Sequence, residues 1–307
     1  MPVEFEKTSF AELQKLPRNQ TVFFFSVGTM EDHGPHLPLG TDLIEARELC
    51  VQAAKRLESD LAGWKGVIMP TLPFGVDGNT TQAALTVRGY VLRDALVDSC
   101  TPLARMGFQQ FVCFSGNLGP RHLTAVEEVH RMLRRQVCGI WPLSIFSSKS
   151  PVFVSANSAL VDQSTALKSP LWPDAAEHGG RKDTAMVLAF EKSQVGDYEK
   201  LKSVSKSGGF FSRMVQRSRG KVSGYWGSPS EATAAEGARA LSQKLDDVWV
   251  SLRAVWKGGK PENYFRSTYI FFPSNKSFFK AWLLSFAVFV VLLLWIMITV
   301  GSITKDF

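Results

Sequence analysis

The sequence predicts an α/β protein with a mostly parallel sheet covered by helices on both faces, followed by one C-terminal transmembrane helix. Three observations support this prediction. Apolar runs without alternation, such as Thr21–Val27, are typical of strands buried on both faces. These runs alternate with segments whose apolar residues recur at three and four spacing, which is typical of helices. An uncharged stretch at 281–300 is long enough to span a bilayer core of about 30 Å.

The predicted elements alternate strand and helix along the chain. The strands lie at 21–27, 66–70, 111–114 and 140–146, and the helices at 43–57, 90–106, 123–133 and 184–190. Such alternation with fully apolar strands favours parallel pairing, in which all strands end at one edge of the sheet. Ligands are therefore expected at the carboxyl ends of the strands. The loop-rich segment 200–230 is expected to form a flap or a subunit contact.

The composition indicates one large domain. The chain has 307 residues, 45% of them hydrophobic, which is enough to bury a sizeable core. We expect a folded domain at 1–257, a linker at 258–277, the transmembrane helix at 278–300 and a short tail at 301–307. The N-terminus lacks the pattern of a secretory signal. No CxxC pattern occurs, so we expect reduced thiols in a reducing compartment; the cysteines are Cys50, Cys100, Cys113 and Cys138.

The charges around the apolar stretch predict its orientation. Only Lys305 follows it, whereas five basic residues precede it: Lys257, Lys260, Arg266, Lys276 and Lys280. By the positive-inside rule, the protein is a single-pass membrane protein with its large N-terminal domain in the cytoplasm. The net charge of +7 is explained by proximity to the membrane, because basic residues are attracted to anionic lipid. Nucleic acid is not an expected partner, because the sequence has no zinc finger, helix-turn-helix or aromatic-interleaved basic pattern.

The loop after the first strand has the most informative chemistry. Its sequence at 28–42 is GTMEDHGPHLPLGTD. Glycines and prolines prevent regular structure there, so Asp42 can fold back toward Glu31 and His33 at the strand end. Carboxylates and neutral imidazoles together suit zinc, manganese or iron, so we predict Glu31, His33 and Asp42 as metal ligands. The alternative is a surface loop whose histidines contact only water.

This loop resembles the signature of the creatininase (creatinine amidohydrolase) family, and further blocks follow in the expected order. They are LPFG at 72–75, GFxxFVxFSGN at 107–117, DxxEHGG at 174–180 and GYWGSPSEATAAEG at 224–237. The resemblance covers residues 5–256. It implies a three-layer α/β/α amidohydrolase with a two-metal centre, assembled as a homo-oligomer, commonly a hexamer. It implies a small-molecule substrate with a small or cyclic amide bond, but it does not imply the transmembrane helix.

The resemblance also implies roles for individual residues. Glu31 would bind the first ion, His33 the second, and Asp42 would bridge the two. His178 would protonate the departing nitrogen, with Glu177 orienting it. The alternative for His178 is a loop histidine that caps the helix from Thr184.

The chain departs from the family pattern at several positions of this site. Asn117 replaces a histidine that normally completes the first metal site, and an amide oxygen is a poor ligand for zinc or manganese. Gly119 replaces a glutamate, the usual Glu-Thr-Ser is altered at 183–185, and a His-bearing segment is lost at 77–79. His122 is a candidate substitute ligand. One or two ions therefore remain compatible with the sequence.

Two functions from different classes remain open. The first is a membrane-anchored, metal-dependent amidohydrolase that cleaves an amide C–N bond with metal-activated water. The second is a catalytically reduced pseudoenzyme of the same fold, acting as an oligomeric scaffold or ligand sensor at the lipid bilayer. Asn117 favours the second function, and the metal content of the protein would separate the two.

Overall fold

The computed structural model describes residues 2–76, 78, 84–139, 150–158, 177–205, 224–267 and 276–303. The strands within these ranges are β1 (Val3–Glu4), β2 (Thr21–Val27), β3 (Lys65–Ile68), β4 (Gln110–Ser115) and β5 (Val152–Ser155). The α-helices are α1 (Phe10–Lys15), α2 (Thr41–Asp60), α3 (Gly89–Arg105), α4 (Pro120–Cys138), α5 (Arg181–Phe190), α6 (Ala234–Trp256) and α7 (Lys276–Ile303). Short 3-10 helices occur at Phe5–Lys7, Lys192–Gln194, Pro229–Glu231 and Pro261–Asn263.

The described strands form one five-stranded sheet in the order β1-β3-β2-β4-β5. Every strand pair in it is parallel. The central strand β2 is buried along its whole length, and its side chains point alternately to the two faces of the sheet. Phe24 belongs to a core shared with α2 and α6, and Phe23 to a core shared with α3 and α4. The predicted α/β/α arrangement is therefore confirmed.

Several predicted elements are longer in the structure than in the sequence pattern. The helix predicted at 43–57 is Thr41–Asp60, and the one predicted at 123–133 is Pro120–Cys138, which begins with proline at its first position. The strand predicted at 140–146 lies outside the described residues. The sequence pattern did not predict β5 or α6. The N-terminus of α6 has a capping box between Thr233 and Glu236, a local signal for its start.

The chain that follows α6 lies against the folded body. Phe265 is buried in the core on the α2 and α6 face, although the sequence pattern assigned this residue to a linker. Beyond residue 275 the chain forms α7, whose window Ala281–Ile298 has a mean hydropathy of 2.7 and no buried residue. This helix is long and apolar enough to cross a membrane.

Candidate metal centre

Three side chains that can bind a metal ion meet at the carboxyl edge of the sheet, where β2 and β4 end. Ligand atoms of Glu31, His33 and His178 all lie within 4.8 Å of one another, and all three residues are buried. Glu31 and His33 come from the loop after β2, whereas His178 precedes α5. Two backbone hydrogen bonds of 3.1 and 2.8 Å pair His178 with Trp226. The site is therefore assembled from segments that are far apart in the sequence.

Each imidazole in this cluster is oriented by a backbone carbonyl. His33 Nδ1 lies 3.0 Å from the carbonyl oxygen of Glu31, and His178 Nε2 lies 2.8 Å from that of Asp32. Because a carbonyl only accepts, these two nitrogens are the donors. His33 Nε2 and His178 Nδ1 are left to bind an ion or exchange a proton. Metal-binding histidines commonly make such a second hydrogen bond.

Asp42, in the first turn of α2, lies beside His33. Its Oδ1 is 3.3 Å from His33 Nε2, and its Oδ2 accepts a hydrogen bond from the backbone N–H of Thr29 at 3.3 Å. Glycine at position 116 allows the chain after β4 to approach the backbone of Asp42 closely, since a Cβ there would lie 2.2 Å from the carbonyl oxygen of Asp42. The structure thus places Asp42 against His33, whereas the described cluster of ligand atoms consists of Glu31, His33 and His178 and does not include Asp42.

Charge interactions inside the site favour an ionised Asp42. Burial opposes the charged form of His33, but the hydrogen bond and negative charge of Asp42 outweigh burial and raise the pKa of His33 to about 9. Burial also opposes ionisation of Asp42, but His33 holds its pKa below the ordinary value. Burial and the charge of His33 lower the pKa of His178. Buried carboxylates and imidazoles of this kind fit zinc or manganese.

Asn117, which the sequence resemblance aligns with a histidine, helps to build the turn into α4. Its Oδ1 accepts a hydrogen bond from the backbone N–H of Gly119 at 2.7 Å, and its Nδ2 donates to the hydroxyl of Thr29. The carbonyl oxygen of the amide is therefore used by the backbone of its own loop.

His122, the candidate substitute ligand, is fully buried in the scaffold below the site. Its Nε2 lies 2.8 Å from the hydroxyl of Ser115, and its Nδ1 accepts a hydrogen bond from the backbone N–H of Val76 at 3.3 Å. Both ring nitrogens thus connect structural elements. The structure does not bring His122 into the described cluster.

Two carboxylates hold the turn that carries His178. Glu177 accepts a hydrogen bond from the backbone N–H of Lys182 at 3.3 Å, and Asp183 accepts one from that of Gly179 at 2.7 Å. Both carboxylates lie near the N-terminus of α5, where negative charge is favourable. Glu177 is predicted to orient His178. In the structure its carboxylate is hydrogen-bonded to the backbone of the turn that carries His178.

Some residues of the site escaped the sequence analysis. The centroid of the Trp226 ring lies 4.8 Å from that of the His178 ring, whose centroid lies 4.2 Å from that of His33. The charge of Asp183 acts on both histidines. Trp226 lies in the conspicuous GYWG block, which was the only available sign of its role. No local sequence pattern predicted that the backbone carbonyl of Asp32 accepts a hydrogen bond from His178.

Comparison with known proteins identifies the family and the fold of this chain. The family described as creatininase, creatinine amidohydrolase, matches residues 6–250. A creatinine amidohydrolase from Pseudomonas putida is 25% identical over 181 residues, which are 55% of this chain and 64% of that protein. The chain therefore spans slightly less than two thirds of the length of this curated relative.

Solved structures of creatininases have a similar fold. A crystal structure of creatinine amidohydrolase is 19% identical with a TM-score of 0.65, covering 84% of this chain and 99% of its own. A manganese form and a variant of Zn-Zn type are each 20% identical with a TM-score of 0.64, covering 83% of this chain and 99% of theirs. Creatininase structures thus exist in manganese and zinc forms, the two metals that suit the cluster described above.

Proposed function

This chain belongs to the creatininase family, and on that premise we propose that it is a metal-dependent hydrolase of small or cyclic amide C–N bonds. One observation carries the proposal: Glu31, His33 and His178 form a buried cluster with Asp42 against it. A buried group of carboxylates and imidazoles is typical of a metal site.

We assign Glu31, His33 and Asp42 as the ligands of one divalent ion. The ion would replace the proton between His33 Nε2 and Asp42 Oδ1, atoms that are 3.3 Å apart. Such an ion lowers the pKa of a water molecule and polarises a substrate carbonyl, which are the two requirements of amide hydrolysis. We propose one ion rather than two because the Asn117 oxygen is hydrogen-bonded to Gly119.

His178 is assigned as the proton carrier. Its Nδ1 takes a proton from the attacking water and passes it to the departing nitrogen. Its Nε2–H donates to the carbonyl of Asp32, which fixes the ring plane and stabilises the cation while the proton is held. The ring of Trp226 stacks on that of His178 and limits access of water to it. Glu177 keeps the loop in place through Lys182.

We further propose that α7 anchors this enzyme in a membrane, with the folded body in the cytoplasm and copies of the chain associated as a homo-oligomer. The support for anchoring is the wholly exposed apolar window Ala281–Ile298. The excess of basic residues before this window supports the orientation. Family resemblance supports the oligomer.

The decisive experiment measures metal content and activity of the full chain in detergent. After loading with zinc or manganese and removal of excess ion, we expect about one ion per chain, as a single set of three protein ligands implies. Asp42→Ala should lose the ion, whereas Asp98→Ala, an exposed position on α3, should retain it. Hydrolysis of cyclic amides should stop on chelation and return with metal. Absence of bound ion under metal-replete conditions would refute the proposal.

A second candidate function is a scaffold or ligand sensor without hydrolytic activity. It is favoured by Asn117, which by resemblance replaces a family histidine. The side chain of Asn117 is used in structural hydrogen bonds to Gly119 and Thr29. This candidate predicts that small amides bind to the protein and raise its melting temperature without being cleaved. Turnover of any such amide would exclude it.

A further inference from the structure

The chain between α6 and the apolar helix is fixed to the body by a set of specific contacts. We call residues 258–267 the strap. Glu262 of the strap lies 3.3 Å from Nε2 of His130 on α4, and the backbone N–H of Ser267 donates to the carboxylate of Glu127 at 3.0 Å. Phe265 is only 6% exposed and completes a core cluster. The strap is therefore part of the folded body, although it lies beyond the family match at 6–250.

These contacts define the direction in which the strap runs. Helix α4 begins at Pro120, directly after the turn of Asn117, so its start lies at the carboxyl edge of the sheet. His130 is ten residues, or about 15 Å, further down the helix, and Glu127 is about 4.5 Å closer to the start. Because Glu262 meets His130 and Ser267 meets Glu127, the strap runs toward the carboxyl edge. That is the edge that carries the candidate metal centre.

The course of α6 agrees with this direction. Glu236 in its first turn contacts Arg181 at the start of α5, near the metal centre. Trp249 Nε1 donates to Asp60 at the end of α2, on the opposite edge of the sheet. The chain therefore runs away from the carboxyl edge of the sheet along α6 and runs back toward it along the strap. It returns to the edge of the metal centre before the apolar helix begins.

Two exposed leucines lie close to the metal centre at this edge. Leu39 is 45% exposed and Leu85 is 63% exposed. The carbonyl oxygen of Leu39 accepts a hydrogen bond from the backbone N–H of Glu31, and the N–H of Leu85 donates to Met30, each at 2.9 Å. Both leucines thus lie within a few residues of a proposed metal ligand. They give the rim of the site an apolar character.

We propose that the carboxyl edge of the body faces the bilayer that holds α7, so that the metal centre receives its amide substrate from the membrane surface. The substrate class this implies is an amphiphilic amide, with its polar C–N bond at the ion and an apolar part along Leu39 and Leu85. Eight residues separate the strap from α7, so residues 267 and 276 can lie at most about 32 Å apart, which keeps the strap near the bilayer. The inference rests on the proposed anchoring of the chain.

Spin labels on the full chain in lipid vesicles test this orientation. Nitroxides are attached to Leu39→Cys or Leu85→Cys, with Lys65→Cys at the opposite edge as the matched control, all in a Cys138→Ser background. The remaining cysteines are buried. Vesicles that contain a nickel-chelating lipid relax nitroxides close to the bilayer surface. We expect several-fold stronger relaxation of the labels at positions 39 and 85 than at 65. Equal relaxation, or stronger relaxation at 65, would overturn the proposal.

A second arm tests the strap and distinguishes a membrane contact from a contact between two copies of the chain. Glu262→Gln weakens the contact with His130 and should reduce the difference between the labels, whereas Glu199→Gln, at an exposed site, should preserve it. If the nitroxides at position 85 of two chains show dipolar coupling but no relaxation by nickel, a second copy of the chain covers the edge. That result would also overturn the proposal. Failure of the protein to float with vesicles would refute the anchoring itself. The metal content of the protein, measured separately, would still test the hydrolase.

Discussion

His33 Nε2 lies 3.3 Å from Asp42 Oδ1 in the buried site, and each of the two residues shifts the pKa of the other. In metal-free protein this relationship has the character of an ion pair with a shared proton. A divalent ion and that proton compete for the same atoms. Metal binding must therefore release a proton, and metal affinity should increase with pH.

The first prediction concerns the pH dependence of stability without metal. A raised pKa of about 9 for His33 stabilises the fold fully below its ordinary value of 6.5, and this contribution is lost as pH rises through 9. The lowered pKa of Asp42 contributes above its ordinary value of 3.8 and is lost as pH falls. We therefore expect the melting temperature in chelator to fall between pH 6.5 and 9. Thermal denaturation across this range measures it.

Asp42→Asn is the informative variant for this prediction, because it removes the negative charge and retains the shape. We expect it to flatten the decrease in melting temperature between pH 6.5 and 9. Asp98→Asn, on the exposed side of α3, should leave the decrease intact. An unchanged profile in Asp42→Asn would contradict the pairing.

The second prediction separates proton transfer from metal binding at His178. With His178→Asn we expect kcat to fall by about 10²- to 10⁴-fold, the usual range for loss of a general acid or base. The metal content should remain near that of the wild type, because Glu31, His33 and Asp42 are retained. Steady-state kinetics and elemental analysis of one preparation measure both. Loss of the ion in this variant would show that His178 is a ligand.

A third prediction addresses Asn117. We expect Asn117→His to raise the number of bound ions above that of the wild type, because imidazole is a better ligand for zinc than an amide. The variant also loses hydrogen bonds to Gly119 and Thr29, so its stability should fall by about 1 to 3 kcal/mol. Thr29→Val is a matched control that removes only the hydroxyl partner. If both variants bind the same number of ions, position 117 does not limit the metal content.

The fourth prediction concerns the buried pair of Lys244 on α6 and Glu45 on α2. Their side chains form an ion pair at 18% and 8% exposure. Lys244→Met should reduce the free energy of unfolding by about 3 to 5 kcal/mol, because the carboxylate of Glu45 remains buried without its partner. The double variant Lys244→Met with Glu45→Met should recover most of the loss.

A surface pair supplies the control for that prediction. Lys200 and Asp197 form an ion pair with both side chains 81% exposed. Lys200→Met should change the free energy of unfolding by at most about 1 kcal/mol, because water and salt screen exposed charges. Chemical denaturation of all variants provides the comparison. Equal losses at the buried and exposed pairs would contradict our account of α6 packing.

The local part of the metal site could be predicted from the sequence. Glu31 and His33 are two residues apart, and glycines and prolines in the loop allow Asp42 to return to His33. His178 is far away in the sequence, so only the family resemblance placed it at the site. The two carbonyls that orient the imidazoles depend on exact loop geometry. Such geometry leaves no pattern in residue types.

The limits of the fold prediction have similar causes. Strand β5 has four residues, too few for a clear periodicity, and it is fixed by its partner β4. Gly258, Gly259 and Pro261 disfavour regular structure, so no helix or strand pattern marks the start of the segment 258–277. The strap is instead held by tertiary contacts of Phe265 and Glu262. Contacts of this kind depend on surfaces that form only when distant segments meet.

The parallel pairing of β2 has a consequence for how the protein matures. Val22 pairs with Gln110, and the loop after β2 then meets His178 and Trp226 from still later parts of the chain. Contacts between such distant residues form slowly, because long segments must close first. The nascent polypeptide therefore has no complete chelating pocket until most of it has been synthesised. Metal insertion should be a late event in biogenesis, and capture of an ion would report that the whole body has reached its native state.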